Sequence, residues 1–408
     1  MATTPSGSGT PPVTSLQDAI ALESKVYMHT FAPRQNPIVL VRGEGTRVWD
    51  AEGREYLDMV AGIAVNVLGH CPPVVIEAVQ KQLGTLIHTS SLYYTRPQLE
   101  LASLLVEHSA LDKVFIANSG AEANECAIKL ARKWGKQHRH GADEIISTER
   151  SFHGRTLATL AATGNRHYQE PFEPMPDGFK QVPFNDLQAI REAVSDKTVA
   201  ILLEPVLGES GVFPASPEYL QGVRALCDEQ GLLLILDEIQ SGVGRTGTLW
   251  AYQGYGIEPD VMTLAKGLAG GLPIGACLAK EHAAVFELGD HGSTFAGNPL
   301  VCAAGRAVLQ HVIERDLPAH AGAMGQRISA GLRELQAEAD SGIKEVRAAG
   351  LWTGIEFTSD KATDVLNRCR EGGVLVNKTS NNTIRLAPPL ILDEADCDRF
   401  LDVFGRSL

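Results

Sequence analysis

Two charged residues close two apolar runs. Asp237 follows Leu232-Leu-Leu-Ile-Leu236, and Lys266 follows Val261-Met-Thr-Leu-Ala265. An unbroken run of this kind, bounded by Gly231 and a charged pair, predicts a central parallel strand buried on both faces. Each charge then stands at the carboxyl end of a strand, where open α/β sheets bind ligands. Lys266 is the only lysine between Lys197 and Lys280, and a glycine-rich stretch, Gly267 to Pro273, follows it. Taken singly, each is an ordinary strand-end charge. Together they suggest a chemistry. A partly desolvated lysine has a depressed pKa and forms Schiff bases, while a carboxylate is what a protonated pyridine nitrogen requires. The pair points to pyridoxal phosphate.

At these residues the chain resembles a known family. Leu236-Asp-Glu-Ile-Gln-Ser-Gly-Val-Gly-Arg-Thr-Gly247, followed by Ala265-Lys-Gly-Leu268, is similar to the signature of the subgroup III (ω-) aminotransferases, including the 29-residue step from Asp237 to Lys266. The likeness runs from about Val39 to Leu392 and is strongest to the acetylornithine branch. Ala61 to His70 resembles that branch in wording, and Ile63 stands where ornithine δ-aminotransferases carry a tyrosine. Two positions depart from the pattern. Phe31 replaces an aromatic hydroxyl ahead of Ala32-Pro33, and Pro72 replaces a histidine after Gly69-His-Cys71.

Phe115 to Glu122 has chemistry of its own. A strand, Lys113 to Ile116, runs into Asn118-Ser119-Gly120 and then a helical pattern to about Gln137. Ser119 suits an N-cap, and Gly120 lets backbone N–H groups approach an anion. By itself this is a capped helix. Beside Lys266, and matching the family's motif, Ser119, Gly120 and Ala121 are expected to cup the cofactor phosphate, with Glu122 and Glu125 facing away. The resemblance assigns ring stacking to Phe152, a substrate carboxylate to Arg155 and the ring oxygen to Gln240. It pairs Glu209 with Arg385 as a gate, and brings Thr294 onto the phosphate of a neighbouring subunit. Without it, Phe152 would read as core and Arg155 as a surface ion pair. His153 is expected to be a hydrogen-bonded structural residue, since Lys266 already serves as base. Gly242 to Gly247 also fits GxGxxG, but Asp237 to Ser241 separate it from its strand and no helix is predicted after it, so it does not read as a dinucleotide fingerprint.

These residues need a scaffold. Alternating apolar runs and helical patterns predict an α/β chain: by resemblance, a fold-type I enzyme whose large domain has a mostly parallel central sheet beside a smaller α+β domain. The boundaries expected are a disordered tail over 1–15, small-domain segments over 16–65 and 300–408, and the cofactor domain over 66–299. Leu16 to His29 has helical spacing, and Pro37 to Tyr56 reads as an antiparallel meander. Leu57 to His70 is too glycine-rich to predict a helix. Pro73 to Leu83 and Gln98 to Glu107 read as amphipathic helices, with Leu92-Tyr-Tyr-Thr95 between them beside the pocket. Gly164 to Asp196 is expected to be an insertion over the sheet.

Bulk properties bound the partners. With 408 residues, 44% of them hydrophobic, the chain can bury one large and one smaller core. A net charge of −13 disfavours nucleic acid and anionic membranes. No apolar segment approaches the ~18 residues of a spanning helix. Seven dispersed cysteines without metal-like spacing are expected to be reduced thiols in a cytoplasmic protein. The resemblance implies a homodimer that uses pyridoxal 5'-phosphate to move the δ-amino group of N-acetylornithine to 2-oxoglutarate. Ornithine, succinylornithine, 4-aminobutyrate and a lysine-pathway acyl derivative are rival donors, and an aminomutase of the same fold is a more distant alternative.

Overall fold

The structure is a computed structural model that describes residues 13–31 and 33–408. The expected tail therefore lies outside the described residues up to Pro12, as does Ala32. Ser15 instead caps a helix over Leu16–Val26 through a reciprocal capping box with Asp18.

Strands β1 (Leu40–Glu44), β2 (Arg47–Asp50) and β3 (Glu55–Asp58) form the antiparallel meander that the alternation predicts. The central sheet takes β4 (Lys113–Ala117), β5 (Glu144–Thr148), β6 (Phe179–Val182) and β7 (Thr198–Leu203). A short hairpin follows, β8 (Val206–Leu207) and β9 (Phe213–Pro214). The sheet is completed by β10 (Leu233–Asp237), β11 (Val261–Leu264) and β12 (Gly275–Ala279), in the order β4-β12-β11-β10-β7-β5-β6. Only β12 runs antiparallel to its neighbours. Every residue of β7 and β10 is buried. Leu234 and Leu236 enter one core while Leu233 and Ile235 enter another, so the strand is covered on both faces, as its unbroken apolar run demands.

The Gly164 to Asp196 stretch is not merely an insertion over the sheet. It supplies β6, which pairs in parallel with β5 as the edge strand. Its four residues carry too short a pattern, between prolines, for periodicity to reveal it.

Beyond the central sheet lie β13 (Ile343–Ala348), β14 (Thr353–Phe357), β15 (Val374–Leu375), β16 (Asn377–Ser380) and β17 (Thr383–Leu386). Four of them form a sheet in the order β13-β14-β17-β16, while β15 joins β3 in parallel and so ties the two chain ends together. The boundary expected at 300 falls inside the Pro299–Glu314 helix, which packs against the Pro73–Leu83 and Arg96–Glu107 helices. The chain turns at Asp316 (φ 48°) into the Leu317–Gln336 helix. Among the described residues no helix is long and apolar enough to cross a membrane.

Candidate active site

Asp237 ends β10 opposite Thr263 of β11, and Lys266 follows β11 by two residues. Both line one cavity of about 440 Å³ at the carboxyl edge of the sheet. Ser119, Gly120, Ala121, Phe152, Arg155 and Gln240 line it as well. The Gly120–His138 helix points its N-terminus there, with the Ser119 hydroxyl accepting from the Glu122 N–H at 3.2 Å. Gly275 in β12 makes this turn possible, because a Cβ there would lie 2.3 Å from the Ser119 carbonyl oxygen. Glu122 and Glu125 do not line the cavity. Glu122 accepts from the backbone and side chain of Asn118, and Glu125 from the Thr156 hydroxyl.

The Asp237 carboxylate is buried and held by three partners, one acceptor position short of its capacity. Its Oδ2 accepts from Asn124 Nδ2 at 2.8 Å and contacts His153 Nδ1 at 2.8 Å, and its Oδ1 accepts from the Ile239 N–H at 3.1 Å. Asn124 is held in turn by the Thr263 hydroxyl at 2.7 Å. Lys266 adopts a left-handed backbone (φ 38°), unusual for a residue with a side chain. Burial lowers its ammonium pKa, Glu209 opposes that, and Arg385 adds to it. An amine poised this way loses its proton more readily than a surface lysine.

A second group lies behind Gln240. Arg385 is 2% exposed, donates to Glu209 Oε1 at 2.7 Å, and also reaches the Gly208 carbonyl and Gln240 Oε1. Burial acts to raise the Glu209 carboxyl, but Arg385 and Lys266 hold it down at about 2. Arg155 is different. It is exposed, stacks on Tyr168 at 4.0 Å, and forms no salt bridge among the described residues, which leaves its guanidinium free for a carboxylate.

Several residues escaped the sequence reading. Glu204 directly follows β7, much as Asp237 closes β10, and it lines the cavity; its Oε1 accepts from the Phe152 N–H at 2.8 Å, and burial pushes its carboxyl up to about 7. A carboxylate closing an apolar strand was the available signal. Asn124 is a polar residue on the otherwise apolar buried face of the Gly120–His138 helix, a second such signal. Ile239 and Val65 line the cavity without any.

One placement differs from expectation. Leu92, Tyr93 and Tyr94 are exposed at 79%, 67% and 94%, and none lines the cavity. Phe31 and Pro72 do not line it either; Pro72 precedes the Pro73–Leu83 helix. Thr294 is exposed outside the cavity, although its neighbour Ser293 accepts from Asn118 at 2.8 Å. Gly242 to Gly247 is a run of turns, and buried Arg245 there donates to the Leu351 and Pro388 carbonyls.

Ala61 to Ala64 is the least expected element. Ala61, Gly62, Ile63 and Ala64 have φ of 49°, 62°, 67° and 61°, a single left-handed turn. Asp58 holds it by accepting from the N–H groups of Val60 and Ala61, while its other oxygen contacts His70 at 2.7 Å. Val65, the next residue, forms part of the cavity wall.

Fold and site together define a fold-type I pyridoxal 5'-phosphate enzyme: the buried acid, the amine of lowered pKa and a helix N-terminus face one cavity of suitable size. The sequence model of the class-III aminotransferases matches residues 30–408. The acetylornithine aminotransferase of Caldanaerobacter subterraneus subsp. tengcongensis is 51% identical over 390 residues, covering 95% of this chain and 98% of that protein. The acetylornithine aminotransferase of Methanothermobacter thermautotrophicus is 49% identical, covering 96% and 98%. Among solved structures, the ornithine aminotransferase of Toxoplasma gondii superposes with a TM-score of 0.93 at 32% identity, covering 96% of this chain and 94% of that one. The acetylornithine aminotransferase from Elizabethkingia anophelis superposes at 0.86 with 34% identity, covering 96% and 98%. The chain belongs to the class-III aminotransferases.

Proposed function

We propose that this aminotransferase moves the δ-amino group of N-acetylornithine to 2-oxoglutarate, giving N-acetylglutamate 5-semialdehyde and glutamate, a step of arginine biosynthesis. The observation that carries this reading is the closed Glu209–Arg385 pair beside an unpaired Arg155. It leaves one guanidinium open, which suits a donor with a single carboxylate far from its reacting amine. Two relatives at about half identity over nearly the whole chain, both acetylornithine aminotransferases, support it.

Ser119, Gly120 and Ala121 would hold the cofactor phosphate, Phe152 and Ile239 would contact the ring, Gln240 its oxygen and Asp237 its nitrogen. The bound cofactor supplies an aldehyde carbon and an electron sink. Arg155 binds the α-carboxylate of the donor and so sets its distal amine toward Lys266. Lys266 Nζ, whose pKa burial lowers, takes the proton from the carbon bearing that amine and returns it on the other side of the transfer. Asp237, oriented by its three hydrogen-bond partners, would hold positive charge at the ring nitrogen. When 2-oxoglutarate enters, Glu209 leaves Arg385 and both guanidinium groups take a carboxylate.

The functional unit is a homodimer in this reading, with Thr294 of a second copy completing the phosphate site. The Leu16–Val26 helix buries no residue, and Met28, Leu92, Tyr93 and Phe295 are exposed, so a single subunit leaves apolar surface uncovered. All seven cysteines are free thiols, which supports a reducing, cytoplasmic setting.

The test is an absorption spectrum of purified protein before and after N-acetylornithine is added without a keto acid. A visible cofactor band that disappears on addition supports the reading. A band that stays would reject the donor, and ornithine and 4-aminobutyrate would be tried next. No band after adding pyridoxal 5'-phosphate would reject the site.

A further inference from the structure

Glu209 sits in the tip of the β8–β9 hairpin, and that tip is strained. Val212 has φ 59° although its side chain is β-branched and buried. Such a backbone costs of order 1–3 kcal/mol and persists only where the surroundings over-determine it. Two arginines do so here. Arg347, from β13, donates from Nε to the Gly211 carbonyl at 3.2 Å and stacks on Phe213 at 3.9 Å. Glu345 and Glu356 pair with it, so its place is fixed.

Arg150 is the less expected partner. It stacks on the same Phe213 ring at 4.0 Å, and its Nη2 faces the Ser210 carbonyl at 3.4 Å. The Ser210 hydroxyl donates back to the Arg150 carbonyl. Arg150 forms no salt bridge among the described residues, and its own backbone is left-handed (φ 66°). Its direct side-chain contacts are the ring and Ser210, while Arg347 on the same ring repels it and the more distant Glu356 attracts it. It stands two residues before Phe152 and five before Arg155. It therefore ties the loop carrying Arg155 to the loop carrying Glu209.

We infer that Arg150 is a positioning residue for donor choice: through Ser210 and Phe213 it keeps the strained tip in the shape that seats Glu209 on Arg385, so that donors with a carboxylate next to the reacting amine are disfavoured. This rests on the reading of Glu209 as the gate of Arg385. Loosening the tip should free Arg385 for an α-amino donor without touching the cofactor.

The experiment uses holoenzyme and follows loss of the cofactor band in single turnovers with N-acetylornithine and with L-glutamate. The ratio of kcat/KM for glutamate to that for N-acetylornithine is compared among wild type, Glu209→Ala, Arg150→Ala, Arg150→Lys and Ser210→Ala. Arg150→Ala should raise the ratio about fivefold, the scale of one lost cation–π stack. Ser210→Ala should move it the same way by less, and Arg150→Lys should recover part of the wild-type preference. If Glu209→Ala shifts the ratio while Arg150→Ala and Ser210→Ala leave it within about twofold, or lower both donors equally, Arg150 has no positioning role. If Glu209→Ala itself leaves the ratio alone, the gate is wrong and this inference falls with it.

Discussion

His153 Nδ1 lies 2.8 Å from Asp237 Oδ2, and the imidazole side chain is wholly buried. The other oxygen of Asp237 takes a backbone N–H, and Asn124 shares Oδ2. The acid is thus held partly from the cavity wall, which His153 and Ile239 both line. Asp237→Asn should lower kcat by about 10³-fold or more, because the group that holds charge at the ring nitrogen is gone. His153→Ala should cost about 10- to 100-fold, the usual scale for a residue that orients another. Steady-state kinetics on cofactor-saturated protein would check both; equal losses for the two variants would contradict this ordering.

Lys266→Ala should leave a folded protein that turns over at least about 10³-fold more slowly. Borohydride treatment followed by peptide mass analysis should find the cofactor on the peptide containing Lys266 in the wild type, and on no peptide in the variant. An adduct elsewhere would move the attachment site.

Glu209→Ala should favour α-amino donors, and the wild-type preference should not vary between about pH 6 and 9, since the carboxyl is held at about 2. The sign for stability follows from the same shift. The folded-state value lies below the ordinary 4.5, so the pair stabilises the fold above pH 4.5, and that contribution is lost as pH falls from there toward 2. Glu209→Gln should therefore flatten the acid limb of an unfolding curve in that window. A Gln variant as acid-sensitive as wild type would refute this.

Gly62→Ala should lower stability by about 1–2 kcal/mol, the cost of one more side chain in a left-handed turn. The space is open enough, with Asn66 Nδ2 at 3.4 Å from the added Cβ, so the loss would come from the backbone. Urea unfolding should show a lower midpoint with an unchanged slope. An unchanged midpoint would argue that the turn relaxes.

Thr294 offers a test of the dimer. Lys266→Ala and Thr294→Ala subunits should each be weakly active alone. Mixed dimers should not regain activity if both residues serve one site within one subunit, but should contain one intact site if Thr294 serves the neighbour. Recovery of about half the wild-type rate per mixed dimer, one site of two, is the expected result.

Local chemistry sufficed for a good part of this protein. The apolar runs ending at Asp237 and Lys266 disclose two buried strands and the site at their ends, because a strand covered on both faces must be apolar throughout and its first charge must lie where it emerges. Ser119-Gly120 discloses a capped helix for an equally local reason. What the sequence could not settle are relations between distant segments. The hold of His153 and Asn124 on Asp237 and the arginines on Phe213 depend on which strand ends the sheet order brings together, and the closure of Glu209 on Arg385 across 176 residues was legible only through the family resemblance. The left-handed turn at Ala61–Ala64 is of the same kind. Its residues would choose otherwise alone, and only the Asp58 carboxylate and the packed cavity wall keep them there.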